Sequence, residues 1–281
     1  MTFEFADRIN RLPPYLFAEL EKLMREKKRC GVDLISLSIG DPDLPPPAFI
    51  LDALKKEAAN SKNHNYSFSQ GEPDFRDAVT GWCKKRFSVD LNQENVIGLL
   101  GSKEGLANVA RAFINPGDKV LVPDPAYPVY ANGSTILCDA TIVPMPLLEE
   151  KGFRPDFSKI DPQGAKMMFL NYPNNPTAAI VDKKFLQEAV DFAKDHKLIL
   201  CYDNAYSEIT FDGYRAPSIL EAENAMDVAI EFHSLSKTFN MTGDRIGFAV
   251  GNKQLISGLT KIKTQIDSGP PVYTQKVAVE A

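Results

Sequence analysis

The chain has 281 residues, 44 % of them hydrophobic and 25 % charged, and a formal charge of −5. That length suits one large domain, or a large domain with a smaller partner. The acidic balance argues against a general binder of nucleic acid or of an anionic membrane, since both need clustered positive charge. No apolar run approaches the roughly 20 residues that cross a bilayer. The opening MTFEFADRINRLPPYL carries acids and prolines where a signal peptide needs an apolar core. Cys30, Cys83, Cys138 and Cys201 have no paired spacing for zinc or a redox dithiol, so reduced thiols in a cytoplasmic protein are expected.

Taken in order, YLFAELEKLMREKKR (15–29) sets Leu16, Leu20 and Leu23 on one face and charges elsewhere, the pattern of an amphipathic helix. LISLSIG (34–40) reads as a strand. DPDLPPP closes it with three prolines at 45–47, which predict a rigid connector and a domain boundary. A helix is predicted from Pro47 to about Ala59, then a polar loop, HNYSFSQGEPDFRDAV, entering a helix that runs through Trp82 to Arg86. From residue 95 strands and helices alternate. NVIGLL precedes the glycine-led helix GSKEGLANVARAFI, and KVLVPDPAYPVY and ATIVPMPL are strands with loops. KMMFL leads through NYPNNPT to the helix DKKFLQEAVDFAKDHK. LILCYDNAY, VAIEF and RIGFAVG follow as strands, and LISGLTKIKTQI as a helix. This alternation predicts an α/β fold, a three-layer sandwich with a mainly parallel sheet covered on both faces.

The polar residues of this half sit just after strand ends, in GSKEG, DPAY, NYPNNPT, DNAY and SLSK. In open α/β sheets ligands bind outside the carboxyl ends of the strands, so five such loops predict one pocket. GSKEG opens a helix, where free N–H groups and the dipole favour a phosphate, though it would also serve as an ordinary glycine-led helix start. Asp203 follows an apolar strand and should lie deep, needing a cationic or donor partner: a protonated ring nitrogen, or a structural salt bridge or helix cap. Tyr206 could offer a phenol, Tyr127 a stacking ring or a core aromatic, Asn175 an amide donor or a turn, and Arg245 a permanent cation or a surface ion pair. Lys237, between small hydroxyl residues at the mouth of a strand, reads as a buried amine that holds an aldehyde cofactor as a Schiff base. Together these parts describe pyridoxal phosphate, with Asp203 keeping the pyridine nitrogen protonated and Lys237 moving the proton at the substrate's α-carbon.

The motifs LSIGDPDLPPP, YSFSQGEPDFRDAV, GSKEGLA, PDPAYPVY, NYPNNPT, YDNAY and SLSKTFNMTGDRIG occur in order between Leu37 and Gly247, within a resemblance that runs from about Tyr15 to the last residue. With them the chain resembles the class I/II aminotransferases of fold type I, the aspartate aminotransferase superfamily, and within it the LL-diaminopimelate branch. The resemblance implies Lys237 as the Schiff-base lysine; Ser102, Lys103, Ser234, Ser236 and Arg245 as phosphate ligands; and Asp203 as partner of the pyridinium. It implies Tyr206 and Asn175 as donors to the ring's phenolate oxygen, and Tyr127 as the stacking ring. Tyr66 would reach the phosphate of the neighbouring subunit in a homodimer with shared active sites. Gly40 and Tyr15, with Lys103 and Asn175, would lie near the substrate. The implied division is an N-terminal arm with part of a small domain over 1–46 and a cofactor-binding large domain over 47–281.

Two departures from the family pattern stand out. The usual NPTG is Asn175-Pro176-Thr177-Ala178 here, and the chain ends at Ala281, where family members continue into a small domain carrying the arginine that clamps the substrate's α-carboxylate. Nothing after Arg245 matches that arginine, which implies a chain lacking its C-terminal part. The implied reaction is amino-group transfer between an amino acid and a 2-oxo acid, with LL-diaminopimelate and 2-oxoglutarate, a step of lysine biosynthesis, as the first substrate pair. Aspartate, alanine or aromatic substrates, a carbon–sulfur β-lyase on the same fold, and an effector-binding module of aminotransferase-like fold are the alternatives.

Overall fold

The computed structural model describes residues 2–37 and 40–281, and every side chain among them except that of Leu16. Among the described residues one seven-stranded sheet organises the chain. Its strands are β1 (Val96–Leu99), β2 (Lys119–Asp124), β3 (Thr141–Pro146), β4 (Met167–Asn171), β5 (Ile199–Asp203), β6 (Ala229–Ser234) and β7 (Gly247–Gly251), in the spatial order β1-β7-β6-β5-β4-β2-β3. From β3 across to β6 every pairing is parallel. β7 is antiparallel to both of its neighbours.

The central strands are buried along nearly their whole length, as expected of parallel strands covered on both faces. β3 alternates exposed and buried residues and carries Pro144 and Pro146 at the sheet's edge, where a missing N–H does least harm. Successive residues point to opposite faces, so the two cores split β4 between them. Met168 and Leu170 pack with α3 (Ala48–Ala59), α4 (Pro73–Phe87), α6 (Lys183–Asp195) and α9 (Val272–Glu280), through side chains such as Ile50, Val79, Leu186 and Val277. Met167 and Phe169 pack with α5 (Ser102–Phe113) and α8 (Lys253–Lys263), through Leu106, Val109, Ile256 and Leu259. Each of these large apolar side chains, fully buried, stabilises the fold by about 1.5–3 kcal/mol. The helices begin where the sequence offers caps: Asp182 accepts from the Phe185 N–H at 2.9 Å, Asn252 accepts from the Gln254 and Leu255 N–H groups at 2.8 and 3.1 Å, and Pro73 occupies the first position of α4.

The N-terminal stretch differs from this frame. It forms the short α1 (Asp7–Asn10) and the longer α2 (Leu16–Arg29), and none of its described residues before Pro47 is buried. The expected helix is present, yet Leu23 on its apolar stripe remains half exposed. The strand expected over 34–40 is not formed by the described residues 34–37 and 40, and Ser38 and Ile39 of that reading lie outside the described residues. A strand needs a neighbour to accept its backbone hydrogen bonds; Ile35 and Leu37 stand almost fully exposed instead, at 87 % and 96 %. Among the elements that the sequence did not announce are α1, α9 and a seven-residue π-helical turn, Val129–Thr135, after the DPAY loop.

Candidate active site

The loops after β1, β2, β4, β5 and β6 leave the sheet at one rim. Because β7 runs the other way, the residues that enter it arrive at the same rim: Gly247 pairs with Leu99 on one side and Ser234 on the other. The five predicted loops do converge. A cavity of about 250 Å³ is lined by Ser102 and Lys103 from the first, Tyr127 from the second, Asn175 from the third, Asp203 and Tyr206 from the fourth, and Ser234, Ser236 and Lys237 from the fifth. Arg245, just ahead of β7, completes it. A larger open cavity of about 1030 Å³ adjoins it and shares Tyr127, Asn175, Tyr206 and Lys237. Tyr15 and Gly40 line that second space. Tyr66 lines neither and is 92 % exposed.

Asp203 ends β5 in the register Asn171–Asp203–Phe232 across three strands. One carboxylate oxygen accepts the Tyr130 phenol at 2.7 Å, while the other is buried and has no partner. Burial drives the carboxyl up to about 6, against the opposing pull of the Tyr130 hydrogen bond, the Ala205 N–H and the field of His233. Asn171 fixes the backbone on both sides: its amide donates to the Asp203 carbonyl at 2.7 Å and its side-chain oxygen accepts from the Asn175 N–H at 2.7 Å. Asn175 then donates to the Tyr206 hydroxyl at 3.3 Å. Burial, and next the field of Asp203, raise the Tyr206 phenol, with the Asn175 bond opposing.

Lys237 belongs to a single helical turn, α7 (Leu235–Thr238), started by the Ser234 hydroxyl, which accepts from the Ser236 N–H. Its ammonium donates to the Gly40 carbonyl at 2.9 Å. Burial lowers its pKa and Asp41 opposes the shift. Arg245 holds a left-handed backbone at φ 52° and donates to the Thr242 and Leu100 carbonyls at 2.8 and 3.2 Å. Its guanidinium lies where a side chain at residue 101 would begin, and Gly101, at φ +79°, is required there by conformation. Lys103 donates to the Tyr15 hydroxyl at 3.2 Å and lies near the faces of Tyr15 and Tyr127. Ala178 takes a left-handed φ of 59°, a conformation in which glycine would be unstrained.

Tyr130, which sequence reading passed over, is fully buried, stacks on Phe169 with centroids 5.0 Å apart and holds Asp203. The signal was its place three residues after Tyr127 in YPVY, one turn further along the π-turn.

The cavity pairs a half-buried amine with a buried carboxylate that has one oxygen to spare, and hydroxyls, a helix start and a guanidinium line the same space. That combination suits a carbonyl compound with a basic aromatic nitrogen and an anionic tail. Residues 32–281 match the family described as aminotransferase class I and II, and the chain belongs to that family. Among curated relatives, the LL-diaminopimelate aminotransferase of Desulforudis audaxviator is 50 % identical over 285 residues, covering 100 % of this chain and 72 % of the relative. That of Aquifex aeolicus is 53 % identical over 271 residues, 95 % of this chain and 70 % of the relative. Among solved structures, substrate-bound BacF from Bacillus subtilis superimposes with a TM-score of 0.93 at 37 % identity, over 99 % of this chain and 71 % of that one. The α/β fold with its mainly parallel sheet and the reaction class, amino-group transfer between amino acids and 2-oxo acids, follow from that membership.

Proposed function

We propose that the cavity holds pyridoxal 5′-phosphate and that the enzyme transfers the amino group of LL-diaminopimelate to 2-oxoglutarate, a step of lysine biosynthesis. The observation that carries the cofactor is the unpartnered oxygen of Asp203, buried in the same cavity as the half-buried Lys237 amine. When bound, the cofactor supplies an electron sink joined to the substrate's α-carbon. Lys237 would hold it covalently and would serve as the base that moves the proton at the substrate's α-carbon. Partial burial lowers the Lys237 pKa, in the direction of the neutral amine that both tasks require. Asp203 holds a proton on the ring nitrogen, and Tyr130 fixes which of its oxygens does so. Tyr206 and Asn175, bonded to each other, orient the ring's oxygen, and Tyr127 stacks on the ring. Ser102, Lys103, Ser234, Ser236 and Arg245 hold the phosphate. Tyr15, Gly40 and Asn175 face the substrate from the adjoining cavity, and Lys103, bonded to the Tyr15 hydroxyl, faces it from the smaller one.

The diaminopimelate assignment draws on the two relatives at 50 % and 53 % identity, both so named. The exposure of Tyr66 supports a homodimer in which its phenol reaches the neighbour's phosphate. The absence of buried residues among those described before Pro47 supports a division into an arm with part of a small domain over 1–46 and a cofactor-binding domain over 47–281. A cytoplasmic location fits a biosynthetic role, and among the described residues no helix is long and apolar enough to cross a membrane.

The test is a panel of amino donors mixed with the purified holoprotein, read by loss of the cofactor's visible absorption. LL-diaminopimelate is expected to discharge that absorption fastest, with 2-oxoglutarate restoring it. Preferential discharge by aspartate, alanine or an aromatic amino acid overturns the substrate assignment, and release of pyruvate from a cysteine conjugate would mark a lyase. Lys237→Ala is expected to lose the visible band and all borohydride-fixable cofactor; a variant that keeps both refutes the anchor.

A further inference from the structure

Lys263, the last residue of α8, has no exposed surface. Its ammonium lies 2.9 Å from a Glu104 oxygen and 2.8 and 2.9 Å from the two oxygens of Asp267. Taking an ammonium out of water is costly unless such partners surround it, and a lysine at a helix end stabilises adequately from the surface. The cluster therefore fixes geometry, and both of its arms lead to residues assigned above to the phosphate.

The first arm enters the loop before α5. Glu104 follows Ser102 and Lys103, and the oxygen that meets Lys263 also accepts the Leu100 N–H at 3.3 Å. The Leu100 carbonyl in turn accepts from Arg245 at 3.2 Å. The other Glu104 oxygen accepts the Asn108 amide at 2.7 Å, so this carboxylate cannot swing away without losing three donors. The second arm enters the loop that carries Tyr66. Asp267 accepts the Gly269 N–H at 2.7 Å, and the neighbouring Ser268 carbonyl accepts the Ser67 hydroxyl at 2.9 Å. Gly269, at φ +90°, lies so close to this loop that a Cβ there would stand 2.5 Å from the Ser67 hydroxyl and 2.6 Å from the Phe68 carbonyl.

We propose that Lys263 is a positioning residue for phosphate binding: one buried ammonium sets the Leu100–Lys103 loop through Glu104 and ties it to the Tyr66 loop through Asp267. The proposal rests on reading the Ser102–Arg245 end of the cavity as the phosphate subsite, and it accounts for a lysine that touches neither cofactor nor substrate.

The test compares two aldehydes on the purified protein, pyridoxal phosphate and pyridoxal, which lacks the phosphate. In Lys263→Met the affinity for pyridoxal phosphate is expected to fall about tenfold or more, the scale of one charge-assisted hydrogen bond, while that for pyridoxal is unchanged. Inorganic phosphate should also compete less well with pyridoxal phosphate than in the wild type. Glu104→Gln keeps the shape and the Lys263–Asp267 pair; it serves if the first variant fails to fold, with a smaller loss again confined to the phosphorylated aldehyde. Equal weakening of both aldehydes, or no change in either, overturns the proposal while leaving the cofactor reading intact. A wild-type protein in which borohydride fixes neither aldehyde at Lys237 overturns the cofactor reading, and this proposal with it.

Discussion

Two carboxylates lie buried on adjacent strands, Asp203 at the end of β5 and Glu231 within β6, and they differ in what is left over. Around Glu231 one oxygen accepts the Ser218 hydroxyl at 2.5 Å and the Ile219 N–H at 2.9 Å, while the other accepts the Asn204 amide at 2.8 Å. His233 Nε2 lies 2.8 Å from that second oxygen but off the hydrogen-bond direction. Every Glu231 oxygen is thus consumed inside the protein, joining β6 to the segment that follows β5. Asp203 keeps one oxygen without a partner in a cavity lined by polar groups. A buried anion is costly unless donors surround it, so a fold retains an incomplete one where a ligand completes it. Glu231 builds the frame, and Asp203 is aimed at something the frame holds.

This contrast can be broken at either residue. The largest effect is expected for Glu231→Leu, which strands the Ser218, Ile219 and Asn204 donors and should lower stability by about 3–5 kcal/mol in denaturant titrations. A loss under about 1 kcal/mol would show that Glu231 is not structural. Asp203→Asn should go the other way in the cofactor-free protein. The folded-state carboxyl is raised to about 6 from 3.8, so its contribution is fully present below pH 3.8 and lost as pH rises through about 6. Above that, the variant should be more stable than the wild type by up to roughly 3 kcal/mol, while amino transfer is lost. Melting across pH 4–8 checks this; an Asp203→Asn protein less stable than wild type at pH 8 would place Asp203 with Glu231 as a structural group. The smallest effect is expected for Tyr130→Phe, which removes a bond that lowers the Asp203 pKa. The pH at which the cofactor-free wild type loses stability should move up, with a change of about 1 kcal/mol. An unchanged midpoint would mean that Tyr130 does not tune the carboxyl.

Much of the frame was legible because local pattern and burial agree: apolar runs such as MMFL and ILCY became central strands, and the strand-end loops met at one rim. LISLSIG misled because an apolar run shows hydrophobicity and not whether a neighbouring strand exists to pair with it. The antiparallel sense of β7 was equally invisible, since chain direction is set by tertiary pairing. In the site, lysine, aspartate and arginine announced themselves by chemistry beside glycine and serine. Tyr130 and Lys263 carry no such signal, one an aromatic in a loop of aromatics and the other a lysine among lysines near a helix end. Their importance lies in what they touch across 73 and 159 residues of sequence, respectively.

The covalent anchor can be read directly by borohydride reduction of the holoprotein followed by proteolysis and mass mapping of the fixed cofactor. The expected result is one modified peptide, spanning Ser234 to Arg245 and labelled at Lys237. Label at Lys103, Lys263 or any other lysine, or no label on a protein that binds the cofactor, would contradict the assignment.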